Sequence, residues 1–232
     1  MREAIALALD RPAIVNAKLG GRAVLATGLL PPAHWAYNAD VPHWDRDLAR
    51  ANQLLDDAGF RRGPDGIRLR LVYKTSADAF RITLARLIAA QLSDVGISVE
   101  VRAFEFATFF ADIKKGNYDI ATMQTTPITE PDFYFFYFNS ERIPDTKDPD
   151  GGNRWRYRNA EVDRLTEAGR RETDRAKRIE IYGQVQRDVA RDLPIIPLWN
   201  EDNVVLSNVD VQGYAISPNA GFFGLVTARK SW

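Results

Sequence analysis

The order of apolar and polar positions predicts helices at the start of the chain and a strand and helix series behind them. Arg2 to Leu19 read as a helical pair: Asp10 is placed to cap the second helix, Pro12 sits in its first turn, and Gly20-Gly21 stops it. From Arg22 to Asp45 the period is lost. This stretch holds Pro31-Pro32, His34, Trp35, Tyr37, Pro42, His43 and Trp44, and a loop of such length is usually functional or tied down by a partner surface. Asp47 to Ala58 returns to a helical stripe (Leu48, Ala51, Leu54, Leu55, Ala58) that closes at Gly59.

Strand periodicity follows. Ile67 to Tyr73 alternates, Asp78 to Val95 is a long helix stopped by Gly96, and Ile97 to Phe104 is a second strand. Phe106 to Lys115 is a helix ended by Gly116, and Tyr118 to Met123 is a third strand. The series implies an α/β fold, a sheet with packed helices and right-handed crossovers wherever strands run parallel. Ligands collect beyond the carboxyl ends of such strands, which directs attention to Lys74–Asp78 and Gln124–Asp132. The aromatic run Asp132 to Phe138 reads as core packing by alternate rings or as a platform for an apolar part of a ligand. Asn159 to Ala168 and Asp174 to Asp192 are two further helices, the second with an Ile179, Tyr182, Val185, Val189 stripe, and a PIIPLW strand starts at Pro194.

Composition narrows the function classes. The 232 residues carry 31 Lys and Arg against 31 Asp and Glu, so the global excess of positive charge that nucleic-acid phosphates select is absent. No cysteine is present, which removes disulfides, thiolate catalysis and Cys-built zinc sites. No run approaches the roughly 18 apolar residues of a membrane-spanning helix. The opening residues do not form a signal peptide, so a signal sequence is expected upstream of Met1 if the protein is exported.

Catalytic motifs are missing: no G-x-S-x-G, P-loop, G-x-G-x-x-G after a strand or H-E-x-x-H occurs. His34 and His43 could share a metal with Asp40 or Asp45, and a small hydrolase built there is the enzyme alternative; as loop residues without ligand spacing they read better as loop packing. Thr146, Asp148, Asp150 and Gly151 resemble a calcium loop only in part, since Tyr157 stands where Glu is needed, and a polar turn is expected. Asp56 with Asp57, and Glu201 with Asp202, are adjacent carboxylates that point in different directions and read as solvated charge. Lys74, read as lying just past a strand end, is a candidate partner for an anionic ligand group.

Several stretches together resemble one family. REAIALALDRPAIVNAKLGGRA followed by LLPPAHWAYN, then DRDLARANQLLDDAGF, LARLIAAQLSDVGISVEV, FFADIKKGNYDIATM, NRWRYRNAEVDRL and RAKRIEIYGQVQRDVARDLPIIPLW, occur in the order found in the peptide/nickel type of bacterial solute-binding proteins, family 5. The similarity runs through nearly the whole chain, each motif being weak alone.

The resemblance implies a periplasmic-binding-protein-like class II lobe, a mixed sheet flanked by helices, as one lobe of a two-lobed receptor. Residues 1–200 correspond to the second, ligand-binding lobe and 201–232 to a segment returning towards a missing N-terminal lobe. The implied function is solute binding for an ABC importer, outside the cytoplasm, without catalysis and without a cofactor. The implied partners are a small solute and the permease subunits, with no nucleic acid and no direct membrane insertion. The alternative of another class is a stand-alone interaction module. Expected ligand contacts are Lys74, where dipeptide-binding members place a basic residue, with Gln124, Thr125, Thr126 and Pro127, joined by Trp35 and Asn153. At the positions where peptide-binding members carry a Trp and then an Asp for the peptide's amino end, this chain has Gln124 and Pro127, so that mode of holding an ammonium is not expected. Gln124, Thr125, Thr126 and Thr129 supply neutral donors and acceptors for a polar solute.

Overall fold

The computed structural model describes residues 1–125, 127–217 and 221–231. The chain opens on α1 (Arg2–Ala8) and α2 (Arg11–Leu19), and the Asp10 carboxylate accepts the Ala13 N–H at 2.9 Å to cap α2. Gly20 ends the helix with φ 57°, a left-handed conformation that a glycine adopts without steric cost. The long loop that follows is not wholly irregular, because β1 (Ala23–Leu25) pairs antiparallel with β5 (Trp199–Glu201), Ala23 opposite Glu201 and Leu25 opposite Trp199. Its period was hidden because three residues are too few to display one. Arg11 is buried and donates to the carbonyls of Ala26, Trp44 and Pro197 at 3.1, 3.2 and 3.0 Å, which ties α2, the loop and the approach to β5 together.

After α3 (Leu48–Asp57), capped by Asp47, comes the central sheet: β2 (Leu69–Ser76), α4 (Ala79–Ser93), β3 (Ile97–Phe104), α5 (Phe106–Lys115) and β4 (Ile120–Ala121). The strands are parallel in the order β3-β2-β4. The first crossover moves from β2 to β3 and the second passes back across β2, so right-handed connections place α4 and α5 on opposite faces. Alternation along β2 then assigns neighbouring side chains to different environments. Tyr73, fully buried, joins the core made with α1, α3 and α4, whereas Lys74 faces α5. β4 is shorter than the expected 118–123 strand; Asp119, just before it, accepts the Val72 N–H through its side chain at 2.8 Å, in place of a ladder bond.

The aromatic run is a helix, α6 (Phe133–Phe138), so its rings reach the core at helical spacing and not alternately: Tyr134, Tyr137 and Phe138 are buried. They form a second core with Tyr157 and with α7 (Ala160–Arg171) and α8 (Arg175–Asp192). Gly169 of α7 lets Tyr182 of α8 close in; a Cβ there would stand 2.6 Å from its ring. Ile179, expected in the buried stripe, is 41% exposed, while Tyr182, Val185 and Val189 are buried. Residues 194–198 do not form the expected strand, since Pro194 and Pro197 offer no amide hydrogen to a ladder, and strand geometry begins at Trp199. Beyond it, β6 (Val211–Gln212) pairs antiparallel with β7 (Arg229–Lys230), and Leu206, Val209, Phe222 and Val226 are highly exposed. Among the described residues no helix is long and apolar enough to cross a membrane.

Candidate functional site

An open cleft of about 1310 Å³ lies between the 26–35 segment, the chain following β4, and the 193–203 segment, with α4 at its floor. Ile120, Pro197 and Leu198 line it with apolar groups, and the buried Leu84 and Ile88 of α4 lie behind them. Its polar groups come from four places in the sequence and meet only in the folded chain.

Arg81, in the first turn of α4, donates to Gln124 Oε1 at 2.9 Å, and Gln124 Nε2 reaches Glu201 Oε2 at 3.5 Å. Trp199 Nε1 donates to Glu201 Oε1 at 3.2 Å. A guanidinium and a carboxylate thus stand in one cleft with a neutral amide between them. That arrangement can meet an anionic group at one end and a donor or cation at the other.

On the other side, the Trp35 ring stacks on His34 at 5.5 Å and lies under the guanidinium groups of Arg175 and Arg178, 4.9 and 5.1 Å from the ring centre. Arg178 also pairs with Asp132 at 2.9 Å and Glu130 at 3.3 Å, and the Tyr182 hydroxyl donates to Asp132 at 2.5 Å. Burial, reinforced by Asp132, pushes the Tyr182 phenol well above its ordinary range, so it stays a donor at physiological pH. Trp155, stacked at 5.8 Å on Tyr137, lines the cleft, and its buried Nε1 has no hydrogen-bond partner among the described residues.

Of the residues expected from the sequence to contact a ligand, Trp35, Gln124, Thr125 and Pro127 come together along this cleft, with Thr129 beside them. Thr126 lies outside the described residues. Lys74 is inside β2 and not past its end; it is 9% exposed and its ammonium lies 2.6 Å from Asp112 of α5, with the Phe104 ring 5.6 Å away. The hydrogen bond from Lys74, with a second from Asn117, holds the Asp112 carboxyl below the ordinary carboxylate range. Lys74 therefore serves the sheet's α5 face. Asn153 is fully buried and serves the backbone: its Nδ2 donates to the carbonyls of Tyr157 at 2.8 Å, Asn139 at 3.1 Å and Phe138 at 3.4 Å, and its Oδ1 accepts the Tyr157 N–H at 2.9 Å.

Sequence reasoning passed over Arg81, Trp155 and Trp199 and set Glu201 aside as solvated charge. A signal existed for Arg81, which follows the Asp78 cap where a strand leads into a helix. None existed for Glu201, whose position depends on the pairing of β5 with β1. His34 Nε2 lies 3.2 Å from the Thr129 carbonyl and Nδ1 accepts the Ala36 N–H at 3.1 Å, so both ring nitrogens are engaged by the backbone. Among the described residues no group of three or more His, Asp or Glu could hold a metal ion. The calcium-like stretch is a polar turn in which Asp145 accepts the Lys147 and Asp148 N–H groups, while Asp148 pairs with Arg142 and Asp150 with Lys114. Asp56 is paired with Arg68.

Comparison with known proteins agrees with this architecture. The chain is 25% identical over 229 residues to a dipeptide-binding protein of Pseudomonas aeruginosa, covering 97% of this chain and 42% of that protein. It is 27% identical over 244 residues to the oligopeptide-binding protein AppA of Bacillus subtilis, covering 100% of this chain and 43% of that one. The solved structure of AppA from Bacillus subtilis in complex with a nonapeptide superposes with a TM-score of 0.87 at 26% identity, over 100% of this chain and 47% of that chain. NikZ from Campylobacter jejuni in complex with Ni(L-His) superposes with a TM-score of 0.80 at 25% identity, over 92% of this chain and 44% of that chain. This chain thus spans under half the length of these relatives. The family model of the bacterial extracellular solute-binding proteins, family 5 Middle, matches residues 1–143, and with the fold and the cleft in agreement the chain belongs to the family 5 bacterial extracellular solute-binding proteins.

Proposed function

We propose that this chain is the second-lobe portion of an ABC-importer receptor that holds a polar solute non-covalently in the cleft beside Gln124 and does no chemistry on it. Residues 1–200 form the lobe, and 201–232 return towards a first lobe that closes over the solute. The observation that carries this reading is the cleft itself: apolar walls with the polar chain Arg81, Gln124 and Glu201 set across it, open on one side. Ligand contacts from both lobes would favour the closed form, which the permease subunits recognise outside the cytoplasm. Trp35, Gln124, Thr125 and Pro127 are the proposed contacts from the original set, with Arg81, Trp155 and Glu201 added. Peptide-binding relatives support a peptide-like or other polar solute, with Arg81 receiving an anionic group.

The test is native mass spectrometry of the protein at its full encoded length, purified from its own host without denaturation. The expected result is a discrete added mass that disappears on unfolding. Absence of any adduct, together with no thermal shift across a library of peptides and small anionic solutes, would overturn the reading.

A further inference from the structure

The wall of the cleft formed by Thr125 and residues 127–129 is held unevenly. Its far end is fixed by charge, since Glu130 and Asp132 both pair with Arg178 of α8. Its near end is fixed by Gln124 through Arg81. Between them, among the described residues, one side-chain hydrogen bond joins the wall to the rest of the fold: His34 Nε2 to the Thr129 carbonyl at 3.2 Å. A carbonyl only accepts, so Nε2 carries the proton. Nδ1 must then be the bare nitrogen, and it accepts the Ala36 N–H at 3.1 Å. Both bonds need the same neutral tautomer.

We propose that His34 is a positioning residue for solute capture, a proton-sensitive clasp whose neutral ring fixes the cleft wall at Thr129 and whose protonation releases it. This rests on the solute-binding reading above. A second proton on Nδ1 removes the lone pair that Ala36 uses and sets N–H against N–H, which turns the ring away from Thr129. Trp35 stacks on the ring from its own loop, α8 brings Arg175 and Arg178 over Trp35, and the facing loop brings Glu130 and Asp132, both paired with Arg178, so two positive and two negative charges surround the ring. His34 is partly exposed, so solvent protons reach it without unfolding the core.

The experiment uses the protein at its full encoded length, with His34→Phe, which keeps a ring against Trp35 but loses both hydrogen bonds, and His34→Gln, which keeps a neutral donor and does not titrate. Binding of trialanine is measured by calorimetry at about pH 7.5 and about pH 5, values that bracket the ordinary histidine range. The clasp predicts roughly tenfold weaker wild-type binding at the lower pH, weak binding by the Phe variant at both, and retained, nearly pH-independent binding by the Gln variant. Equal affinity of the Phe variant and wild type at about pH 7.5, or a parallel fall in all three proteins between the two pH values, would overturn it. Nitrogen NMR of the imidazoles, with the His34 signal assigned by its loss in the Phe variant, decides the matter if trialanine binds none of them. A fixed Nε2–H tautomer at about pH 7.5 supports the clasp even where the peptide reading fails, and an Nδ1–H or averaged tautomer sinks it.

Discussion

Asn153 offers the clearest test of the division between ligand groups and framework groups, because the sequence suggested a ligand contact and the structure assigns a buried clamp. Replacement by Ala removes donors from the carbonyls of Tyr157, Asn139 and Phe138, and an acceptor from the Tyr157 N–H. The bonds at 2.8, 3.1 and 2.9 Å carry most of the effect, since the 3.4 Å contact is long. At about 1 kcal/mol for each hydrogen bond the loss is about 3 kcal/mol, and more if water cannot reach the stranded groups. For a domain of this size that is a fall of about 6–12 °C in Tm. Asn153→Asp should be at least as damaging: it keeps the acceptor for Tyr157 but offers no donor and buries a charge among carbonyl oxygens. Urea denaturation followed by circular dichroism gives the free energies, and calorimetry with a bound solute gives affinity. A loss below about 1 kcal/mol in both variants, or a selective loss of affinity at unchanged stability, would refute the reasoning.

Gly169→Ala should destabilise although alanine is the better helix former by about 1 kcal/mol, because the new Cβ would lie 2.6 Å from the Tyr182 ring. Overpacking of about 1–3 kcal/mol opposes that gain, for a net loss of up to about 2 kcal/mol by urea titration; a rise in stability would refute the close packing. Arg81→Ala should weaken solute binding by roughly tenfold, the scale of one charge-assisted hydrogen bond, with Tm nearly unchanged, as read by calorimetry on the full-length protein. Asp112 has a lowered folded-state pKa, so its stabilising effect is present above the ordinary carboxylate value of about 3.9 and is lost as pH falls through the folded value. Asp112→Asn should accordingly be less stable than the parent at neutral pH, with the gap narrowing on acidification; a gap independent of pH would contradict the Lys74 pairing.

Local chemistry made much of this fold legible in the chain. Asp10, Asp47, Asp78, Asn159 and Asp174 each precede a helix and each accepts a backbone N–H from its first turn. Gly20, Gly96 and Gly116 have positive φ at or just beyond helix ends, and the strand read at Ile97 to Phe104 has those bounds. Such signals survive without tertiary context because a cap, a stop or an alternation involves residues only a few places apart. The family was legible too, since its motifs follow one another in order along the chain.

The chain alone did not determine what each polar side chain faces. Lys74 and Gln124 both lie near strand ends in the sequence, yet one is bound to Asp112 beneath the sheet and the other stands in the cleft between Arg81 and Glu201. Asn153 and Glu201 stand elsewhere than the sequence led us to expect for the same reason. One lies within reach of three carbonyls brought by α6 and the turns around it, and the other is carried to the cleft by the pairing of β5 with β1. A polar group takes whichever partners folding brings within about 3 Å, and when those partners come from distant segments the assembled tertiary structure decides between clamp and contact.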